Sequence, residues 1–266
     1  MPRPYAHIES LDDPRIDDYR NIPDPQLLAS RGIFIAEGRL VVRRLLDGGR
    51  FSVRSVLVTP TALESLGEIT SNVPIYVADQ KLLSAIAGYN VHRGCLAAAI
   101  RPAPVPWRQL ATTARTLLVL EDVGNVDNIG GIFRNAAAFG VDAVLLGPGC
   151  ADPLYRKAIR TSMAATLQIP FATMTDWPAD VVSLRDAGFT LLGMTPSADA
   201  LPLVECMATL AAARIALVLG HEGNGLSEET MRAADIRVRI PLAEGVDSLN
   251  VATAAGVALY ELRRNL

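Results

Sequence analysis

Beyond residue 115 the chain contains five strand-like runs: TLLVLE, DAVLLG, TLLGMT and IALVLG are continuous and aliphatic, and the fifth, IRVRIP, carries two arginines. A strand with one face in solvent alternates polar and apolar side chains, whereas a strand covered on both faces is apolar throughout. Segments with helical patterns separate the five runs. The sequence therefore predicts an α/β fold with a parallel sheet covered on both faces, whose site lies at the carboxyl ends of the strands.

A smaller α/β region precedes these strands. Strand-like and helix-like segments alternate in it, including FIAEG, GRLVVRRLLDGG, VRSVLVT and GCLAAAI. Residues 1–30 are polar and rich in turn residues, which predicts an extended or irregularly helical arm. The segment RPAPVPWRQL has three prolines in five residues and predicts a linker near residues 101–110. We therefore expect an arm and N-terminal domain in residues 1–108 and a C-terminal domain in residues 109–266.

The composition limits the class of protein. The net charge of −3 does not by itself indicate a nucleic-acid-binding protein, whose usual mark is strong positive charge. Cys95, Cys150 and Cys206 lie too far apart for a zinc spacing or a disulfide framework, and the three histidines form no cluster. No apolar run is long enough to span a membrane, and the N-terminus lacks a signal-peptide pattern. We expect a soluble cytoplasmic protein with no metal and no membrane contact.

The end of the chain predicts the floor of a binding site. Ser248 is a good N-cap for a helix that runs to about Arg264. Between residues 249 and 259, only Asn250 and Thr253 are neither glycine nor aliphatic, which predicts a helix buried on several sides. The first turn offers polar side chains and free backbone N–H groups, which can hold a polar or anionic ligand.

A second polar loop follows the first aliphatic run. Asn128 is placed to cap a helix that begins near Ile129, and the two glycines after it permit close backbone approach. Arg134 lies about a turn further on. On this pattern alone, Arg134 is either a functional residue or one half of a structural ion pair.

A third loop, GHEGNGLS, follows the fourth run and has three glycines around Glu222. Such loops often let a ligand approach the backbone. The glycine order matches neither the dinucleotide fingerprint nor the P-loop. Ser227 is expected to cap the helix that follows.

Together the three loops resemble motifs one, two and three of the SpoU (TrmH-like) branch of the SPOUT RNA 2′-O-ribose methyltransferases. The matching segments are NIGGIFRNAAAFG, LVLGHEGNGLS and IPLAEGVDSLNVATAAGVALYE, within about residues 117–266. FIAEGRLVVRRLL and VHRGCLA are similar to the ribosomal-protein-L30e-like RNA-binding domain that often precedes this catalytic domain. One position departs from the family pattern Arg-x-Ser-x-Gly, because Ala164 stands where glycine is usual.

The resemblance implies a fold, a cofactor and a reaction. The implied C-terminal domain is a parallel-sheet SPOUT domain with a deep trefoil knot that binds S-adenosylmethionine. The implied partners are rRNA or tRNA and a second copy of the chain, paired through the C-terminal domain. The implied reaction is attack of a ribose 2′-hydroxyl on the methyl group of the sulfonium.

The resemblance also assigns site residues. The implied cofactor-binding residues are Leu219, Gly220, Glu222, Gly225, Ile240, Leu242, Ser248, Leu249 and Asn250. The implied catalytic residues are Asn128, Arg134, Glu222, Ser248 and Asn250. Glu222 has a second interpretation as the ion-pair partner of an arginine. We expect Arg134 to hold a phosphate bidentately, because a guanidinium group stays protonated and is a reluctant base.

Seven basic residues are expected to contact RNA: Arg39, Arg43, His92, Arg93, Arg156, Lys157 and Arg160. For those on predicted helices, a solvated helix face is the alternative. Two other functions stay open. One is a noncatalytic knotted RNA-binding or assembly factor with a degenerate cofactor site, which the intact motif residues argue against, and the other is methylation of a base.

Overall fold

The structure, a computed structural model, describes residues 5–20, 23–69, 72–210 and 214–265. The chain forms two compact units. The first comprises Met1–Ala103 and Leu154–Gln168, and the second comprises Pro104–Pro153 and Ile169–Leu266. The first division lies close to the expected one after residue 108. The segment Leu154–Gln168 differs from expectation. The sequence analysis assigned it to the C-terminal domain, but it packs within the first unit.

The first part of the chain forms a mixed sheet with helices. Its elements are β1 (Ala6–His7), a 3-10 helix (Pro14–Tyr19), α1 (Asp24–Arg31), β2 (Ile33–Glu37), α2 (Arg39–Gly48), β3 (Val53–Val58), α3 (Pro60–Leu66), β4 (Ile75–Val77), α4 (Gln80–Ala87) and β5 (Cys95–Ile100). The described strands lie in the order β1-β4-β3-β5-β2. Strand β5 runs antiparallel to β2 and β3, while β4 runs parallel to β1 and β3. The arm, residues 1–30, thus supplies β1, the 3-10 helix and most of α1, and its residues 1–4 and 21–22 lie outside the described residues.

The remaining chain supplies the second sheet. Its elements are α5 (Trp107–Thr113), β6 (Thr116–Leu120), α6 (Val126–Phe139), β7 (Ala143–Leu146), α7 (Arg156–Thr161), α8 (Ala165–Gln168), β8 (Phe171–Thr173), α9 (Ala179–Asp186), β9 (Thr190–Met194), β10 (Leu201–Pro202), α10 (Leu203–Thr209), β11 (Ile215–Leu219), α11 (Glu228–Ala233), β12 (Ile236–Arg239) and α12 (Val251–Asn265). Among the described residues, seven strands form one sheet in the order β10-β12-β9-β11-β6-β7-β8, and every pairing is parallel. The five strand-like runs form β6, β7, β9, β11 and β12, which confirms the predicted parallel sheet.

Two predicted boundaries were wrong. The linker expected near residues 101–110 ends earlier, because α5 begins at Trp107, whose ring is buried in the core of the second unit. The last helix begins at Val251 and not near Ser248. Asn250 caps it instead, since its Oδ1 accepts the backbone N–H groups of Ala252 at 3.0 Å and Thr253 at 3.2 Å.

Within one chain, α12 is buried on one side only. Val251, Ala255 and Leu259 are buried, whereas Val257 is 39% exposed and Tyr260 is 52% exposed. The sequence predicts that α12 is buried on several sides. A partner would therefore have to cover the face that carries Val257 and Tyr260.

The segment Leu154–Gln168 is fixed within the first unit by polar contacts. Asp24 accepts the backbone N–H of Arg156 at 2.8 Å and the guanidinium Nη2 of the same residue at 3.1 Å. Arg44 of α2 donates to the carbonyl of Met163. Helix α7 packs on β2, and α8 packs on α2.

Ala164 occupies an unusual backbone conformation in this segment. Its φ is +67°, in the left-handed region, and its side chain is fully buried. This conformation costs an alanine about 1 kcal/mol and a glycine very little. The turn between α7 and α8 would therefore favour the glycine that the resemblance implies at this position.

Within the described residues, every helix is too short or too polar to cross a bilayer.

Candidate active site

A cavity lies at the carboxyl ends of β9, β11 and β12, which are neighbours in the sheet. All of the predicted cofactor-binding residues line it except Asn250. Thr195, Pro196 and His221 also line it and were missed by the sequence analysis. The signal that could have identified Thr195 and Pro196 is their position directly after the aliphatic run that forms β9, at the same sheet edge as the other loops.

The glycine-rich loop after β11 closes on itself. His221 and Gly225 exchange backbone hydrogen bonds of 3.1 Å and 3.0 Å. A Cβ atom on Gly220 would lie 2.3 Å from the backbone C and O of Gly225, so no side chain fits there. Gly225 has a φ of +70°, which also favours glycine. These two glycines are therefore required by the shape of the loop itself.

Asn128 joins the three predicted loops. Its side chain is buried, with its amide nitrogen donating to Oε1 of Glu222 and its Oδ1 accepting from Nδ2 of Asn250 at 2.9 Å. The predicted cap role of Asn128 was wrong. The cap of α6 is Asn125, whose Oδ1 accepts the N–H of Asp127 at 2.8 Å. Asn128 therefore lies inside the helix, where its amide serves Glu222 and Asn250.

Close packing of α6 against α12 brings Asn128 and Asn250 together. A Cβ atom on Gly131 would lie 2.9 Å from the Cβ of Ala252, and Asn135 donates to the carbonyl of Ala252 at 2.7 Å. The absence of a side chain on Gly131 thus permits the close backbone approach that the sequence predicted for this glycine.

A buried carboxylate accepts a hydrogen bond from the end of the glycine-rich loop. Glu121, which follows β6, is 6% exposed and accepts the indole N–H of Trp177 and the backbone N–H of Ser227, each at 3.0 Å. Ser227 caps α11 as predicted, its Oγ accepting the N–H of Thr230 at 3.2 Å. Glu121 was missed by the sequence analysis, although a carboxylate at the end of a buried aliphatic run was a usable signal.

For both Arg134 and Glu222, the alternative to a functional role was a structural ion pair. Arg134 is exposed on α6 and does not line the cavity, and no residue of the described chain forms a hydrogen bond or ion pair with it. Glu222 bonds to Asn128 and not to an arginine. The structural ion pairs considered for these two side chains are therefore not present within the described ranges.

The predicted RNA-contact residues all lie in the first unit, and the first group of them is Arg39, Arg43, His92 and Arg93. Arg43 is occupied by its own unit, because it pairs with Asp47 at 3.0 Å and donates to the carbonyls of Leu66 and Glu68 at 3.1 Å and 2.6 Å. Arg39, one turn earlier on α2, is exposed and has no hydrogen-bond or ion-pair partner among the described residues. The same holds for the side chains of His92 and Arg93.

A second group surrounds the buried carboxylate of Glu37. This carboxylate accepts the hydroxyl of Tyr89 at 3.1 Å and lies 3.5 Å from Nη1 of Arg160, whose side chain is 54% exposed. Arg156 lies over the Tyr89 ring at 5.0 Å, in addition to its pair with Asp24. Burial raises the pKa of the Tyr89 hydroxyl, which keeps this group protonated as a donor. Arg156 is thus held inside its unit, whereas Arg160 and Lys157 present their side chains to solvent.

Within the described residues, no three His, Cys, Asp or Glu side chains come together in a way that could hold a metal ion.

Known proteins are similar to this chain in sequence and in fold. The SpoU rRNA Methylase family model matches residues 115–260. An uncharacterized tRNA/rRNA methyltransferase of Mycobacterium tuberculosis is 45% identical over 96% of this chain and 90% of its own. The 23S rRNA (guanosine(2553)-2′-O)-methyltransferase RlmP of Bacillus subtilis is 26% identical over 96% of this chain and 98% of its own. The crystal structure of an AdoMet-bound rRNA methyltransferase from Sinorhizobium meliloti is similar, with a TM-score of 0.84 and 25% identity over 98% of both chains. The chain therefore belongs to the SpoU rRNA Methylase family.

Proposed function

We propose that this protein uses S-adenosylmethionine to methylate a ribose 2′-hydroxyl of rRNA or tRNA. The observation that carries the proposal is the bonding of Asn128 to both Glu222 and Asn250, because it fixes three loops of one unit around one cavity. The name of the Bacillus subtilis relative, a 2′-O-methyltransferase, supports ribose as the acceptor over a base.

The cavity fits the cofactor in its chemistry. The loop after β11 lines the cavity with Gly220, Gly223 and Gly225, whose backbone groups carry no side chain, and the walls from β12 and α12 are mostly aliphatic. In the proposal, Ile240 and Leu249 contact the adenine through their backbones, and Ser248 and Asn250 close the site. When bound, S-adenosylmethionine supplies a methyl group activated by its sulfonium.

Arg134 is assigned to the RNA and not to the cofactor, since it does not line the cavity and has no partner within the described residues. A planar guanidinium group can hold a phosphate by two parallel hydrogen bonds. In the proposal, Arg134 orients the ribose through the adjacent phosphate, and that phosphate or solvent assists removal of the hydroxyl proton. Alignment of the acceptor is then the main contribution of the protein to the rate.

The first unit is proposed to bind RNA through the exposed surface around Glu37. Consecutive residues place basic side chains there. Glu37 pairs with Arg160, a Cβ atom on Gly38 would lie 3.6 Å from Cδ of Arg93, and Arg39 is exposed. Lysine and arginine side chains in such a surface attract the RNA backbone irrespective of base sequence.

We also propose that the protein is a homodimer through its second unit and that this unit carries the knot of its family. The support for the dimer is the exposed apolar side of α12, with Val257 and Tyr260. Sedimentation analysis of the full chain should give twice the mass of the monomer. Tyr260→Arg should shift the protein toward monomer, because it places a charge in the apolar contact.

The test of the function is transfer of a labelled methyl group from S-adenosylmethionine to RNA from cells that lack the gene, followed by nucleoside mass spectrometry. The expected product is one 2′-O-methylated nucleoside. Arg134→Ala should lower the rate about a hundredfold, an effect of the size seen when one positioned donor is removed. Arg232→Ala removes another exposed arginine, which pairs with Glu228 on α11, and should leave the rate unchanged.

Two results would redirect the proposal. A methylated base with unmodified ribose would show that the methyl acceptor is a base and not the ribose hydroxyl. Failure of the wild-type protein to bind S-adenosylmethionine would favour the noncatalytic alternative. That alternative is not favoured at present, because the relatives are named as methyltransferases.

A further inference from the structure

The side chain of His221 holds the loop that lines the candidate cofactor cavity. Its Nδ1 accepts the backbone N–H of Gly223 at 2.8 Å and that of Asn224 at 3.1 Å. The imidazole ring thus satisfies two donors at the tip of the loop, in the manner of an Asn or Asp side chain in a tight turn. The backbone exchange between His221 and Gly225 closes the same loop.

This arrangement requires one protonation state of the ring. An imidazole nitrogen accepts a hydrogen bond only when it carries no proton, so the proton of the neutral ring lies on Nε2. An imidazolium group would direct an N–H toward two backbone N–H groups. Protonation therefore breaks both bonds and adds repulsion between donors.

The position of the loop matters for the cavity because Glu222 follows His221 directly and carries the bond to Asn128. Among the described residues that line the cavity, His221 and Glu222 are the ionisable ones, and the walls from β9, β12 and α12 contribute uncharged residues. No charged group of these walls can take over the role of the imidazole acceptor.

We propose that His221 is a positioning residue for cofactor binding, which acts as a neutral imidazole by fixing the loop from Gly220 to Gly225. S-adenosylmethionine affinity then falls when acidification protonates the ring. The inference rests on the proposed function of the cavity.

The experiment is calorimetric titration of the full chain with S-adenosylmethionine at about pH 7.5 and about pH 5.5. His221→Asn and His221→Gln are compared with the wild type. Asparagine places Oδ1 on Cγ, as histidine places Nδ1, and it does not titrate in this range. Glutamine places its oxygen one bond further away. Circular dichroism at both pH values shows that each variant is folded.

The wild-type Kd should rise on acidification by about tenfold more than the Kd of His221→Asn, which is the effect of losing about one net hydrogen bond. Comparing the two proteins cancels the titration of the ligand itself. At the higher pH, His221→Gln should bind more weakly than His221→Asn.

Equal responses of the wild type and His221→Asn to pH would overturn the inference, as would equal affinities of the Asn and Gln variants. Absence of wild-type binding at the higher pH would instead overturn the cofactor site, and with it both proposals. A pH response confined to the wild type, with tighter binding by the Asn variant than by the Gln variant, supports the inference.

Discussion

Asn250 donates its side-chain amide to Oδ1 of Asn128 at 2.9 Å, although 122 residues separate the two in the chain. Asn128 in turn donates to Glu222, which lies 94 residues further along. One amide therefore connects the starts of two helices with the glycine-rich loop. Because both of its polar atoms are used, replacing it removes both connections.

Asn128→Ala should weaken S-adenosylmethionine binding by about 5- to 100-fold, since it removes two side-chain hydrogen bonds that hold the loops, each worth about 0.5–1.5 kcal/mol. Calorimetric titration measures the Kd. Asn125→Ala is the matched control on the same helix. It removes the cap of α6 and should lower the free energy of unfolding by about 1 kcal/mol without changing the Kd. Equal effects of the two variants on Kd would show that Asn128 acts only through the stability of α6.

Arg39 and Arg43 lie one turn apart on α2 and should respond differently to alanine substitution. Arg39→Ala should lower RNA affinity and reduce the slope of log K against log salt concentration by about one, because one phosphate contact is lost. Arg43→Ala should instead lower the free energy of unfolding by about 1–2 kcal/mol, because its carbonyl and carboxylate contacts are lost. Filter binding at several salt concentrations and urea unfolding measure the two effects. An unchanged salt slope for Arg39→Ala would exclude it from the RNA-binding surface.

Ala164→Gly should change the free energy of unfolding by less than about 1 kcal/mol. Glycine relieves the left-handed backbone by about 1 kcal/mol, but it loses a buried methyl group worth about 0.8 kcal/mol and gains freedom in the unfolded chain. Ala164→Val should cost at least about 2 kcal/mol, because a β-branched residue is disfavoured at a φ of +67° and the site is fully buried. Denaturant unfolding compares the three proteins. A stable valine variant would contradict the left-handed conformation.

The thiol of Cys150 should be unreactive near neutral pH. Burial raises its pKa from the ordinary value of 9.0 to about 11. Because the thiolate is the nucleophile, alkylation of the native protein should be slow at about pH 7.5 and should accelerate about tenfold per pH unit toward about pH 10. Mass spectrometry of the alkylated protein at successive times measures the rate. Cys150→Ala shows which part of the alkylation occurs at Cys150. Rapid labelling of Cys150 near neutral pH would contradict the raised pKa.

The same shift has a consequence for stability. The folded protein holds the Cys150 proton more tightly than the unfolded chain, so this contribution to stability is complete below about pH 9 and is lost as the pH rises from about 9 to about 11. Cys150→Ala should lose less stability than the wild type over this interval in urea unfolding. An equal loss in both proteins would assign the alkaline response to other groups.

The parallel sheet and the position of the cavity could be predicted from local patterns, whereas the residues that line the cavity were implied by the resemblance of three loops to the SpoU family. Continuous aliphatic runs are compatible with few folds other than a covered parallel sheet, and the loops after such strands lie at one edge. The helix caps could not be assigned in the same way. Asn125 and Asn128 lie in one stretch, as do Ser248 and Asn250, and each is a good cap by residue type. Tertiary contacts decide between them.

Contacts between distant segments were also beyond the sequence patterns. Nothing near Arg43 indicates that the carbonyls of Leu66 and Glu68 occupy its guanidinium group. Likewise, the basic group from Arg156 to Arg160 follows a strand of the second unit in sequence, but Asp24 and Glu37 hold it in the first. These partners lie 23 to 132 residues away in the chain, so no short window of sequence contains the information.

The segment Leu154–Gln168 bears on how the gene can change. Because α7 and α8 complete the first unit, that unit is encoded by two separate blocks of codons. Recombination at one boundary cannot add or remove it cleanly, since the buried side chains of Ala158 and Ile159 would lose the strand that covers them. Loss of residues 1–103 alone would therefore leave α7 and α8 in the chain with their apolar side chains uncovered.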